Sequence, residues 1–451
     1  MRNPDGRGKM EARRFDLPLI DKGIQMPKKS GKAASLQPIF RSGHLVLRGA
    51  ARRNDGENDG NEMSAAKKPK NKPNRPFFSS GPCAKRPGWQ PDVLDNALTG
   101  RSHRSAEGRE RLKLAITMTH EVLRVPKGYE VALLPGSDTG AVELAMWNLL
   151  GARGVDVLAW DVFGRVWLRD VAEELKLPDA RTMDADPGHL PDLSKVDFSR
   201  DVIFTWNGTT TGVRVPDANW IPDDRQGLTI CDATSALMGQ EIDLNKIDVL
   251  TYSWQKAFGA EAAHGMAIMS PRALERLASY TPTWPIPRLF RIKNRGEIVH
   301  DVFEGVTINT PSMLCVEDYL DGMQWVKDIG GIDATIARSH ANAQALYSWI
   351  ERTPWAEALP VDPKTRSETS VAIRFSEPDV LAQGEAKALA VQRDMVRLLE
   401  SEKAALDIAA YRGMPVGLRI WCGPTVDKAD ILDLLPWLDW AYAEARRKNG
   451  L

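Results

Sequence analysis

A mostly parallel α/β sheet covered by helices on both faces is the architecture this 451-residue sequence predicts. Three observations lead there. Short apolar runs of strand length alternate with amphipathic stretches of helix length from residue 130 onward. Polar, small-residue segments follow the strand-like runs, at 161–165, 207–211, 232–235 and 253–256, and the carboxyl ends of parallel strands are where such sheets bind ligands. No apolar run approaches the ~18–20 residues that would span a bilayer.

Residues 1–74 stand apart. They are rich in Gly, Lys, Arg, Asn and Asp, and residues 52–60 are almost wholly charged or polar. Such a segment buries too little apolar surface to offset its ordering entropy, so a disordered polar and basic tail is expected. An RNA-binding arm and a basic transit peptide are both open readings, although acidic residues count against the latter. A natural start at Met63, ahead of a short polar leader, is a third.

Order is expected from Pro76. Residues 77–82 form a short apolar segment closed by a Gly-Pro turn, 91–98 a short helix and 107–123 a longer one. Between them, Ser102-His103-Arg104-Ser105 offers a guanidinium fork and a tunable imidazole, which suits an anion and equally a solvated loop. A strand at 130–134 runs into Pro135-Gly136-Ser137-Asp138-Thr139-Gly140 and a helix at 141–150. Strand, small-residue loop and helix start converge backbone N–H groups on one point, an anion cradle. It is neither a GKS/T phosphate loop nor GxGxxG, which disfavours ATP and NAD.

The alternation continues with strand 156–160, helix 166–175, strand 202–206 and strand 228–231. Then comes the run 249–252, the loop Ser253-Trp254-Gln255-Lys256 read as exposed, and a second run, 265–269. Asp232 ends one strand and Lys256 follows another. This is the pair a pyridoxal 5'-phosphate site needs: the lysine forms the Schiff base, and the carboxylate keeps the pyridine nitrogen protonated. Residues 283–309 are irregular and basic, and a helix is expected from 312 to just before 330. A smaller α/β unit follows, with helices at 332–351, 387–400 and 428–446 and strands at 371–375 and 417–421. Arg419 sits inside the last strand, where burial is costly without a partner; a salt bridge or a substrate carboxylate would satisfy it. The domains are therefore expected at 75–330, large and ligand-binding, and 331–451, small.

Lys+Arg and Asp+Glu are equal at 60 each, but residues 1–72 hold 17 basic against 8 acidic, so the remainder is mildly acidic. That disfavours nucleic acid as the main partner. Cys83, Cys231, Cys315 and Cys422 show no CxxC and no nearby His pair. Free thiols in a reducing, cytoplasmic compartment are expected, with no metal site.

Taken together, Phe78–Pro82, Ser102–Ser105, Asp232 with Thr234, Gln255-Lys256, Asn309-Thr310-Pro311 and Gly417-Leu418-Arg419 resemble the phosphoserine aminotransferase family in order and approximate spacing, from about Phe77 to the C-terminus. That family belongs to class V of the fold-type I pyridoxal-phosphate enzymes. The resemblance implies transamination between 3-phosphohydroxypyruvate and L-glutamate in serine biosynthesis, with the phosphohydroxythreonine step of vitamin B6 synthesis as a related use. It implies Lys256 and Asp232 as the catalytic pair. Ser137, Asp138, Thr139, Thr234 and Gln255 would form the phosphate cradle, and Thr209 would sit near the ring hydroxyl. Phe163 would stack on the ring, with Trp167 as the alternative. Asn309 and Thr310 would reach the cofactor of a second subunit, making a homodimer. His103, Arg104 and Arg412 would take the substrate phosphate, and Arg419 the α-carboxylate. Ser137-Asp138-Thr139 departs from the family's more glycine-rich or basic loop. Rival class V activities are alanine–glyoxylate-type transamination and a desulfurase-like lyase; the latter needs a cysteine on a flexible loop, and none of the four sits on an obvious one.

Overall fold

The computed structural model describes residues 67–451, all within a single compact unit. The readings made for residues 1–66, the charged run at 52–60 and the Met63 start among them, lie outside the described residues.

Along the chain, α1 (Ala106–Val122) leads to β1 (Glu130–Pro135), α2 (Ser137–Leu149), β2 (Val155–Ala159), α3 (Val162–Arg169) and β3 (Ala180–Asp184). β4 (Asp201–Thr205) precedes the short ribbon β5 (Asn207–Gly208) and β6 (Val213–Arg214), then β7 (Thr229–Asp232), β8 (Val249–Ser253), β9 (His264–Met269) and α4 (Pro271–Ser279). A second ribbon, β10 (Lys293–Asn294) and β11 (Glu297–Ile298), comes before α5 (Met313–Asp328) and α6 (Ile332–Ile350). The chain ends with β12 (Ala356–Ala358), β13 (Ser370–Phe375), α7 (Pro378–Ala382), α8 (Glu385–Ser401), β14 (Gly417–Trp421) and α9 (Lys428–Lys448).

Seven strands form one sheet in the order β1-β9-β8-β7-β4-β2-β3. The neighbours from β8 to β3 pair in parallel, and β9 alone runs against both of its neighbours. β9 follows β8 through a loop with no crossover helix, which dictates antiparallel pairing. Alternate residues feed opposite cores: Val131 and Leu133 pack on one face, Ala132 and Leu134 on the other, as the two-residue period of a strand requires. A second sheet, β12-β13-β14, is antiparallel.

Several local expectations shift. The helix expected at 91–98 is one 3-10 turn, Pro91–Leu94, whose residues bury nothing. The helix expected from 141 already begins at Ser137, so the small-residue loop is itself the first turn of α2. The one expected at 166–175 starts at Val162, capped by Asp161, and finishes in a wide turn closed by the Leu175 N–H on the Asp170 carbonyl, 2.8 Å. Residues 67–74, assigned to the tail from sequence, lie against the C-terminal elements. The Trp437 indole N–H donates to the Asn71 carbonyl at 2.6 Å, and the Asn74 N–H to Asp430 Oδ1 at 2.7 Å. The chain then passes beside β14, where Trp421 N–H donates to the Phe78 carbonyl at 3.0 Å, and on to Lys256.

Candidate active site

Lys256 sits in the loop between β8 and β9. The loop is interior, contrary to the exposed turn read from sequence: Trp254, Ala257 and Phe258 are buried and Lys256 itself is 8% exposed. Apolar residues on both sides of the lysine drive this, since their burial carries the amine inward. Nζ donates to the Ser80 carbonyl and lies 5.9 Å from the Trp421 ring. A Cβ at Gly81 (φ +155°) would collide with Nζ, so the backbone comes this close only as glycine. Burial pushes the amine below its ordinary pKa and Arg419 adds to the depression, while Cys83, Asp232 and Asp161 oppose it.

Asp232 closes β7 at the carboxyl edge. Its Oδ2 accepts the Trp167 indole N–H at 3.2 Å and its Oδ1 the Thr234 N–H at 3.0 Å. Trp167 is thereby committed to the carboxylate. Phe163, one turn earlier on α3, is half-buried with its ring 6.1 Å from that of Tyr411. Arg419 reaches in from β14; its guanidinium lies 5.2 Å from the Tyr411 ring, and its Nε is buried without a hydrogen-bond partner. Burial lowers its pKa.

At the start of α2, Gly136 (φ +85°) and Ser137 (φ +52°) take left-handed conformations. This splits the expected cradle. Ser137 and Thr139 are partly or fully accessible beside the helix N-terminus, whereas the Asp138 carboxyl turns inward, 6% exposed, against Asp232. Asp138 therefore does not face the cradle, where an anion would repel a phosphate. Thr209 is buried, and its carbonyl accepts from Ser370 Oγ at 2.7 Å. The Gln255 carbonyl accepts the Cys83 N–H at 2.8 Å, tying the glycine turn to the lysine loop.

His103, half-buried, and the exposed Arg104 lie just before α1, and Asn309 and Thr310 are exposed just before α5. None of the four is hydrogen-bonded to Lys256, Asp232 or Arg419 among the described residues. Arg412 is also exposed. Sequence reading missed Asp161, Trp167 as the Asp232 partner, and Tyr411. Asp161 is fully buried, accepts the Gly164 N–H at 2.8 Å, and burial raises its pKa to about 6. Its signal was available: an Asp directly after a strand and three residues before a glycine is an N-cap.

A mostly parallel sheet with a buried lysine and a half-buried aspartate at its carboxyl edge is the arrangement of the fold-type I pyridoxal-phosphate-dependent aminotransferases. No family model matches the chain. It is, however, 48% identical over 375 residues to a phosphoserine aminotransferase of Methanosarcina mazei, a match covering 83% of this chain and 99% of that protein. Its fold is similar to a solved phosphoserine aminotransferase of Cytophaga hutchinsonii, with a TM-score of 0.68 and 22% identity over 81% of this chain and 99% of that one. It is also similar to the pyridoxal-phosphate-bound enzyme of Trichomonas vaginalis, with a TM-score of 0.64 and 18% identity over 81% and 99% of the two chains. The chain belongs to the phosphoserine aminotransferase family.

Proposed function

We propose that this protein catalyses 3-phosphohydroxypyruvate + L-glutamate ⇌ O-phospho-L-serine + 2-oxoglutarate, in two half-reactions at one site and as a step in L-serine biosynthesis. The observation that carries the reading is the convergence of a buried amine, a half-buried carboxylate and a buried guanidinium nitrogen on one site, at Lys256, Asp232 and Arg419. The residues fit pyridoxal 5'-phosphate. Ser80 Oγ, Thr234 Oγ1 and Gln255 Oε1 are buried polar atoms without a hydrogen-bond partner in the chain, and they belong to the segments that carry Lys256 and Asp232. When bound there, pyridoxal phosphate supplies an electron-withdrawing ring that stabilises negative charge at the substrate Cα.

The chain's own residues do the rest. Lys256, its pKa lowered by burial, is available as the base that takes and returns the Cα proton. Asp232 holds a proton at the ring nitrogen. Phe163 covers the ring face, because the Trp167 N–H is occupied by Asp232. Ser137 and Thr139, with Thr234 and Gln255, receive the cofactor phosphate at the start of α2, and Thr209 lies by the ring hydroxyl. Arg419, from the 331–451 domain, takes the substrate α-carboxylate in a fork of donors, above the cofactor-holding 75–330 domain.

His103, Arg104 and Arg412 meet the substrate phosphate, and Asn309 and Thr310 the cofactor phosphate of a second copy in a homodimer. The segment that leads to Asn309 packs on the middle of α1: a Cβ at Gly305 would press on the backbone of Lys113, and Lys113 Nζ pairs with Glu304 at 2.6 Å. A cytoplasmic setting fits the four free cysteines, three of them buried. No helix among the described residues is long and apolar enough to cross a membrane.

The absorbance spectrum of the purified protein tests this. A yellow band that bleaches with O-phospho-L-serine, and far less with alanine, is the expected result. Equal response to both amino acids would sink the phosphate clamp. No band after reconstitution with pyridoxal phosphate would overturn the cofactor reading.

A further inference from the structure

Asp138 presents a buried carboxyl beside the carboxylate that the proposed chemistry needs charged. It lies on the first turn of α2, 6% exposed. Facing it are Asp232 and Cys231 on β7, Thr234 just beyond, and Thr251 on β8. No lysine, arginine or histidine stands among these neighbours. Its Oδ1 has no hydrogen-bond partner, and the hydroxyls beside the carboxyl are those of Thr234 and Thr251. Asp232 is differently placed, with two N–H donors from Trp167 and from Thr234. An ionised Asp138 would be a buried anion beside the Asp232 carboxylate, with no cation and only the neutral Thr234 and Thr251 hydroxyls facing it; a proton on it removes that charge and gives the pair one O–H···O⁻ bond. Burial first, then Asp232, drives the Asp138 pKa well above the ordinary carboxyl range.

We propose that Asp138 is a positioning residue whose protonated carboxyl donates to Asp232, holding it in place as the single anion of the pair, ready for a protonated pyridine nitrogen. This rests on the cofactor reading above. It also accounts for the departure at Ser137-Asp138-Thr139: the aspartate serves the far end of the cofactor from its phosphate.

Two substitutions separate the possibilities, because an asparagine amide can donate where a carboxylate cannot. Pyridoxal phosphate is titrated into apoprotein by absorbance. Asp138→Asn is expected within about threefold of the parent Kd, and Asp138→Ala weaker by about 10- to 100-fold, the weight of a hydrogen bond to a charged group. Denaturant unfolding of the apoprotein against pH gives an independent reading. A carboxyl protonated in the fold and ionised in the unfolded chain loses stability as pH rises above its unfolded pKa of about 3.9. Other buried carboxyls raised in the fold, Asp161 among them, add to this limb, so Asp138→Asn should make it shallower by the share of one proton. An Asn variant as weak as Ala, or one whose limb is as steep as the parent's, overturns the proposal. If the parent binds no pyridoxal phosphate, the cofactor reading fails, while the apoprotein limb still decides where the proton is.

Discussion

Lys256 is a usable base because of its surroundings. Burial penalises its ammonium form, and Arg419 does so further. Removing that positive charge should therefore raise the Lys256 pKa. In Arg419→Ala, the acid limb of the rate at which pyridoxal phosphate adds to apoprotein should move to higher pH; in Arg419→Lys it should stay. Both variants should raise the KM for phosphoserine, since an ammonium cannot replace the two-pronged guanidinium. An unmoved limb in Arg419→Ala would show that burial alone sets the base. His264 carries a second residue-scale prediction. Its Nε2 accepts the Ser312 N–H at 3.1 Å, and burial lowers its pKa to about 4. A histidine depressed in the fold stabilises fully above its unfolded value near 6.5 and loses that stability as pH falls toward 4. The loss is on the order of 3 kcal/mol. Urea unfolding at stepped pH should show it, and His264→Gln should flatten that limb. Individual roles were only partly legible in the sequence. Lys256 and Asp232 could be read because each follows an apolar strand. The inward turn of Asp138 could not, because it depends on two consecutive left-handed residues.

At the scale of elements, the two edges of the large sheet do different work. The carboxyl ends carry the site, and the amino ends are closed by buried ion pairs. Asp156 in β2 pairs with Arg181 and Arg200, Asp201 in β4 with Arg276, and Asp248 just before β8 with Arg225 and Arg272. All three aspartates are fully buried. Asp248 also accepts from Ser270 Oγ at 2.9 Å and from the Thr229 N–H at 3.0 Å, so it ties β7, β8 and α4 together. Asp248→Ala would leave buried arginine without its partner, and should cost about 3–5 kcal/mol by denaturant unfolding. The absorbance of the cofactor-bound variant should stay unchanged. A cost below about 1 kcal/mol would mean that the cluster behaves as a solvated surface pair. The long apolar strands were legible because burial on both faces leaves an unbroken apolar run. β3 was not: at the edge of the sheet, only Ala180 and Met183 of Ala180–Asp184 are half-buried, and the segment reads as polar loop. The run of β9 was legible as well, and only its antiparallel direction went unread, although the short link from β8 with no crossover helix carries that signal.

At the scale of the whole molecule, the residues of the proposed chemistry fall into an inner set and an exposed set. Lys256, Asp232 and Arg419 meet at one site, while Arg104, Asn309 and Thr310 stand exposed ahead of α1 and α5. In the proposed homodimer, a two-fold interface would deliver such exposed residues of each copy to the site of the other, and Arg104 could be shared in the same way as Asn309 and Thr310. Complementation tests this. Lys256→Ala removes the base from one site, and Arg104→Ala removes the phosphate contact from the other chain's contribution. Each variant alone should be nearly inactive toward phosphoserine. Once the two are unfolded and refolded together, half of the mixed dimers' sites pair an intact Lys256 with an intact Arg104. Activity should therefore reappear on mixing, and it should depend on exchange of subunits. Were Arg104 to serve the site of its own chain, every mixed dimer would hold one site without base and one without clamp. No activity would then return, and the shared-site reading would fail while the lysine assignment stood.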